Sequence, residues 1–184
     1  TAMGESTTAS ADYSTAMGRN NTASGGYSTA MGRNNTASGL YSTVMGESTT
    51  ASGDYSTAMG SYTTASGTYS IGMGYHTTAS DFASVVIGQY NSSGSSATSA
   101  TSFSTSNTAF VIGNGADSSN KSDAFKVMFN GDTYVSSSLY LAGTAITATA
   151  AEINLLDGVT TIGDGILASV TESSNTGVRL STSN

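Results

Sequence analysis

Any chemistry in this sequence must come from few residues. There is no cysteine and a single histidine, His76. Thiol catalysis, disulfides and cysteine ligation are therefore excluded, and His76 has no second imidazole or ordered carboxylate at ligand spacing to make a metal site or a general base. The acids Glu5, Asp12, Glu47, Asp54 and Asp81 are scattered. Asp12 and Asp54 share a column of the repeat described below but lie three repeats apart, so no carboxylate pair converges as glycoside hydrolysis requires. Gly113-Asn114-Gly115 and Gly163-Asp164-Gly165 lack the further glycine and lysine of a phosphate loop. The expectation is a protein that is not an enzyme, with no metal and no cofactor. What remains is aromatic: Tyr62, His76 and Tyr90 recur at 14-residue spacing with Tyr75 beside them, and exposed rings can stack on a cell-surface glycan. Rings in a β ladder also simply cover their neighbours.

The elements that position these rings come from a repeat. Between residues 12 and 88 the phrase Tyr-Ser-Thr-Ala-Met-Gly returns every 14 residues without insertion. A strict short period marks a solenoid, in which each repeat is one turn that must stack on its neighbours to bury anything. A weaker 7-residue pattern, small-x-Ala-x-Gly, as in Ser14-Ala16-Gly18 and Asn21-Ala23-Gly25, divides each unit into two half-turns. Alternation predicts two five-residue strands per coil, joined at corners where glycine supplies the backbone conformations. The Ser/Ala/Gly parity is small throughout and belongs inside a narrow roll. The opposite parity is apolar in one half, with Met17 and Thr15, and polar in the other, with Thr22 and Ser24.

Burying a methionine is worth about 1.5–3 kcal/mol against about 0.8 for a methyl group, and a lone chain would leave a long stripe of Met exposed. A rotationally symmetric oligomer, a homotrimer first of all, is expected to pack Met3, Met17, Met31, Met45, Met59, Met73 and Ile87 around its axis. The Tyr13, Tyr27, Tyr41, Tyr55, Tyr69 ladder shares that parity and is expected to cap the subunit contact. The Thr22/Ser24-type ladder raises ice binding as a remote alternative, though such residues also serve as plain solvated strand faces.

The Ser-x-Ala-x-Gly phrase at 14-residue spacing resembles the YadA-like head of trimeric autotransporter adhesins, over residues 1 to about 95. That resemblance implies an all-β, left-handed parallel β-roll that trimerises, with Met where the family usually has Ile or Val. The same repeat also occurs in phage tail fibres.

Beyond the roll (1–95), a Ser/Thr-rich connector (96–108) leads to a second ordered stretch (109–143). There Phe110/Ile112 and Phe125/Val127/Phe129 alternate, and Asn130-Gly131 signals a tight turn into Thr133–Val135, predicting a β neck. Its Phe-Val-Ile-Gly-Asn-Gly and Ser-Asp-Ala-Phe phrases resemble a motif that follows such rolls in fibre-like proteins. In 144–160, Thr149 and Glu152 form a capping box before Ile153, Leu155 and Leu156, predicting a short helix ended by Gly158. Weak strands are expected in 161–184. The phrase from Ile146 to Thr160, with its Asn-Leu-Leu-Asp-Gly, resembles bacteriophage tail fibres, some of which lose a C-terminal chaperone by cleavage.

A net charge of −7 with five basic residues argues against nucleic acid and anionic lipid as partners, and no apolar run of about 18 residues is present for a membrane span. The chain opens in mid-repeat and reads as a piece of something longer. The leading expectation is a trimeric, receptor-facing phage tail fibre located on the virion, with other tail proteins and a host glycan or protein as partners. The alternative is the head of a bacterial trimeric adhesin at the cell surface.

Overall fold

The computed structural model describes residues 1–148. Its organising unit is a ten-stranded sheet in which Ala2–Glu5, Thr15–Arg19, Thr29–Arg33, Thr43–Glu47, Thr57–Ser61, Ile71–Tyr75, Val85–Gln89 and Thr108–Asn114 are parallel neighbours in that order, followed by antiparallel Asp123–Met128 and Thr133–Val135. A second, six-stranded parallel sheet holds Thr8–Ala9, Thr22–Ala23, Thr36–Ala37, Thr50–Ala51, Thr64–Ala65 and Thr78–Ala79. One coil of this parallel β-solenoid is one strand of each sheet, and register is strict: Ala16 pairs with Ala30, Met17 with Met31 and Gly18 with Gly32.

The two half-turns are unequal. The second strand has two residues where the alternation predicts five, because the corner after the long strand consumes part of it. Positive-φ backbone around the corners is shared between glycine, as expected, and other residues: Gly18, Gly32, Gly46, Gly60 and Gly74 have φ of 113–132° near the end of the long strand. Tyr13, Tyr27, Tyr41, Tyr55 and Tyr69 have φ of 57–61° at one corner, and Asn20, Asn34, Tyr62 and His76 have φ of 52–58° at the other. Asparagine tolerates this conformation, whereas a bulky residue there costs roughly 1–2 kcal/mol. In the tyrosine column the rings stack at 4.7–5.0 Å, and an aromatic pair is worth about 0.5–1.5 kcal/mol, which offsets much of that strain. Because these tyrosines sit on a corner, strand parity does not extend to them, and their rings are exposed on the single chain.

Glycine's main service is close approach between coils. A Cβ on Gly25, Gly39 or Gly53 would lie 2.0–2.2 Å from the carbonyl oxygen of the glycine one coil on. At Asp81 this glycine column ends.

The interior follows the small-residue parity. Ala16, Ala23, Ala30, Ala37, Val44, Ala51, Ala58 and Ala65 are fully buried in one continuous core. Beside them runs a buried polar ladder: Asn21, Asn35, Thr49, Thr63 and Thr77. Asn35 satisfies all its groups. Its Nδ2 donates to the Met31 and Gly46 carbonyls, each at 2.7 Å, and its Oδ1 accepts from the Thr49 amide at 2.9 Å and the Thr49 hydroxyl at 2.7 Å. The amide thus ties the end of one long strand to the coil above, where carbonyls would otherwise face a dry interior. Replacing Asn35 with Ala is expected to lower stability by about 2–4 kcal/mol, read from the urea midpoint. A loss below about 1 kcal/mol would mean that the strand ends do not depend on this ladder.

The regular coil gives way after Tyr90. The 91–107 segment replaces the short half of a coil and is hydrogen-bonded to the last one: the Thr68 amide donates to Ala100 O, that of Ser80 to Gly94 O and that of Phe82 to Ser99 O, each at 2.8 Å. Buried Asp81 organises this cover. Its Oδ1 accepts from the Thr98 amide at 2.7 Å, and its Oδ2 accepts from the Thr108 amide at 2.8 Å and from the Thr108 hydroxyl. The strand that follows then rejoins the same sheet, so the stretch expected as a neck continues the solenoid's long face. The step from Ile87 to its partner Ile112 is 25 residues, against 14 from Met73 to Ile87. The turn at Asn130-Gly131 forms as its composition predicts, with Gly131 at φ 94°. A two-stranded sheet, Tyr140–Leu141 with Thr144–Ala145, closes the described part. The helix expected at 149–158, within the 144–160 segment, and the strands expected in 161–184 lie outside the described residues.

Candidate functional site

Two features of the surface bear on function, and both are columns created by the register. The first is the methionine face. Met3, Met17, Met31, Met45, Met59 and Met73 are successive Cα partners along the long sheet. The column runs on through Ile87, Ile112, Phe125 and Val135. Met17 to Met73 and Ile87 are half-buried by their own stacking, while Met3 at the open end is 59% exposed. The continuation beyond Ile87 was hidden in the sequence by the long step to Ile112.

The second is the aromatic corner. Tyr62, His76 and Tyr90 occupy the left-handed corner position that Asn20 and Asn34 hold in earlier coils. Their side chains therefore leave the roll instead of alternating with a strand. Tyr62 and His76 stack at 4.5 Å with their planes 5° apart, and His76 and Tyr90 at 4.7 Å and 10°. Tyr75, from the end of the neighbouring long strand, stands edge-on to both His76, at 4.5 Å, and Tyr90, at 5.4 Å. All four predicted residues come together. A hydrogen bond with the Tyr75 phenol, and secondarily desolvation, raises the Tyr90 phenol above its ordinary pKa. Tyr62 and Tyr75 are 50% and 45% exposed, so the corner presents accessible ring surface.

The comparison with known protein families decides the architecture. The sequence family described as YadA head domain repeat (2 copies) matches residues 1–21, 9–35, 23–46, 37–63 and 65–91. Residues 1–91 are built of YadA head repeats. The comparison with curated proteins found no match to this chain. The YadA head matches stop at 91, the point where the 91–107 cover begins, so the strands from Thr108 onward extend a YadA head roll with a different sequence.

The rest of the YadA head surface carries little chemistry. One exposed column sets acid beside base in two pairs, Glu5 with Arg19 and Arg33 with Glu47. Both are exposed and contribute at most about 1 kcal/mol each, which suits register tuning between coils. Among the described residues no group of three or more His, Cys, Asp or Glu is placed to hold a metal ion, and no described helix is long and apolar enough to cross a membrane.

One pocket has no counterpart in the sequence reading. Lys121, Lys126 and Tyr134 line a pocket with Ser92, drawing on segments far apart in the chain. The only sequence signal was that two of five basic residues fall within six positions of each other.

Proposed function

We propose that this chain is a homotrimeric, adhesin-like fibre segment with no catalytic role, whose exposed corners face a receptor on a cell surface. The observation that carries this reading is the methionine column. From Met3 to Ile112 one face of the ten-stranded sheet presents an apolar line in strict register, and past the irregular pairing beside Ile112 it continues through Phe125 and Val135. An apolar line of this length is a protein contact surface, and rotation about an axis parallel to the stack covers all copies equally. YadA head repeats support the same assembly.

Within this reading we assign the fibre to a phage tail. The support is the 146–160 phrase with its Asn-Leu-Leu-Asp-Gly, which resembles tail-fibre sequences; other tail proteins and a host-surface glycan are then the partners. The head of a bacterial trimeric adhesin is the second reading, and the repeat family favours it directly. Both need the trimer, so mass in solution tests them together: a species of three times 18.4 kDa is expected, and a stable monomer overturns both. The receptor face is tested separately. Tyr62→Ala with Tyr90→Ala is expected to weaken binding to host cells or their glycans about tenfold, the loss of roughly 1.4 kcal/mol of ring contact. Unchanged binding would reduce the aromatic corner to a cover for its own strands.

A further inference from the structure

Positive charge is scarce here, and its distribution is uneven. Of the four cations among the described residues, Arg19 and Arg33 are each paired with a glutamate one coil away. Lys121 and Lys126 have no carboxylate within salt-bridge distance among the described residues, and both line one pocket of about 290 Å3. The antiparallel register sets Lys126 opposite Tyr134, and its ammonium lies 4.3 Å over that ring. The contact holds the charge at the pocket wall without neutralising it. Ser92, Ser122 and Ser136 complete the lining, the Ser122 hydroxyl donating to Asn114 Oδ1 at 2.6 Å and that of Ser136 to Ala124 O at 3.3 Å. The one carboxylate present, Asp123, is already engaged: its Oδ1 and Oδ2 accept from the Ser92 and Ser93 amides, both at 2.8 Å. The lining therefore carries two lysines against one occupied carboxylate, in a chain whose net charge is −7.

The pocket adjoins the aromatic corner. Ser92 follows Tyr90 by two residues, and the Ser122 amide donates to the Tyr90 carbonyl at 3.1 Å. Ligand pockets run from roughly 300 to 1,000 Å3, so this one suits a single sugar unit and not a chain. We propose that it receives the oxyanion of an acidic sugar, with the neighbouring units of the same glycan lying along Tyr90, His76 and Tyr62. Lysine ammoniums recognise carboxylate or phosphate as point charges, the Ser92 hydroxyl is free to donate to a sugar hydroxyl while those of Ser122 and Ser136 can accept from one, and the Tyr134 ring supplies a flat wall. The assignment rests on the glycan-facing reading of the aromatic corner and deepens it from "glycan" to "acidic glycan".

The test uses the full chain and three probes in calorimetric titrations: an oligogalacturonate for a carboxylate, mannose 6-phosphate for a phosphate, and a neutral oligosaccharide of matching length. At least one acidic probe is expected to bind, at least tenfold more tightly than the neutral one, with affinity falling as salt rises. Lys121→Gln with Lys126→Gln should remove that preference and leave neutral binding unchanged, while Lys126→Arg, which keeps the charge, retains it. Whichever acidic probe binds identifies the source of the oxyanion. If neutral and acidic probes bind alike and the lysine variant changes nothing, the pocket assignment is overturned while the glycan-facing corner stands. If no sugar binds at any salt, the glycan reading falls and the pocket assignment with it.

Discussion

A chain carrying both Met31→Asp and Met45→Asp is expected to run as a monomer under conditions where the parent is a trimer. Met31 and Met45 are Cα partners in adjacent coils, about 4.8 Å apart across the sheet, so the two carboxylates would stand one above the other in every subunit. In a monomer both face water and the cost is the mutual repulsion of neighbouring like charges, up to about 1 kcal/mol. In a trimer six carboxylates would meet near one axis, and burying each without a partner costs several kcal/mol. Each lost methionine also forfeits about 1.5–3 kcal/mol of burial. The association equilibrium therefore collapses while the roll survives, which sedimentation and far-UV circular dichroism read independently. Ser38→Asp is the matched control, exposed beside the short strand on the opposite sheet, and it should leave the trimer intact. Equal behaviour of the two variants would overturn the assignment of the methionine face to the axis.

The second large effect concerns the fold itself. Gly39→Ala adds one methyl group and is expected to cost more than 3 kcal/mol, beyond the roughly 1–3 kcal/mol of ordinary overpacking. The reason is what the methyl group meets. Its carbon would lie 2.0 Å from the Gly53 carbonyl oxygen and 2.5 Å from the carbon of that group, and neither can move without stretching the stack. Gly26→Ala, one coil earlier and on the surface, meets only the end of the Leu40 side chain at 3.0 Å, which can rotate away. That substitution is expected to stay within about 0.5 kcal/mol of the parent. Thermal or urea unfolding of the two variants side by side checks the contrast. Similar stabilities would mean that the coils can separate locally, and that close glycine stacking does not set their spacing.

Much of this architecture was legible because the repeat leaves little freedom. With one residue type per column, Ala at 16, 30 and 58 had to point inward and Met at 17, 31 and 45 outward once the alternation was granted. Near-identical coils also leave in-register pairing as the arrangement that stacks like on like. The YadA resemblance read from Ser-x-Ala-x-Gly agrees with the family match over residues 1–91. The four aromatic residues of the corner could be named for the same reason: residues 14 apart in a strict solenoid are neighbours.

The corners were not legible. Alternation predicts where side chains point along a strand and says nothing about where the strand stops, so the short half was read as five residues when it is two. Glycine supplies positive-φ backbone as expected, at Gly18 and its column, but Tyr13 and Asn20 carry it too, because stacking between near-identical coils stabilises a conformation that a single coil would avoid.

By itself, then, the sequence determined the period, the small interior and the apolar face, since these follow from residue size and spacing alone. Tertiary structure decided the corners, the rejoining of Thr108–Asn114 to the long sheet, the cover pinned by Asp81, and the pocket that gathers Lys121, Lys126 and Ser92. Each of these depends on contacts between residues with no fixed spacing, where the favourable partner is chosen by which backbone groups a fold leaves unpaired and not by any pattern along the chain.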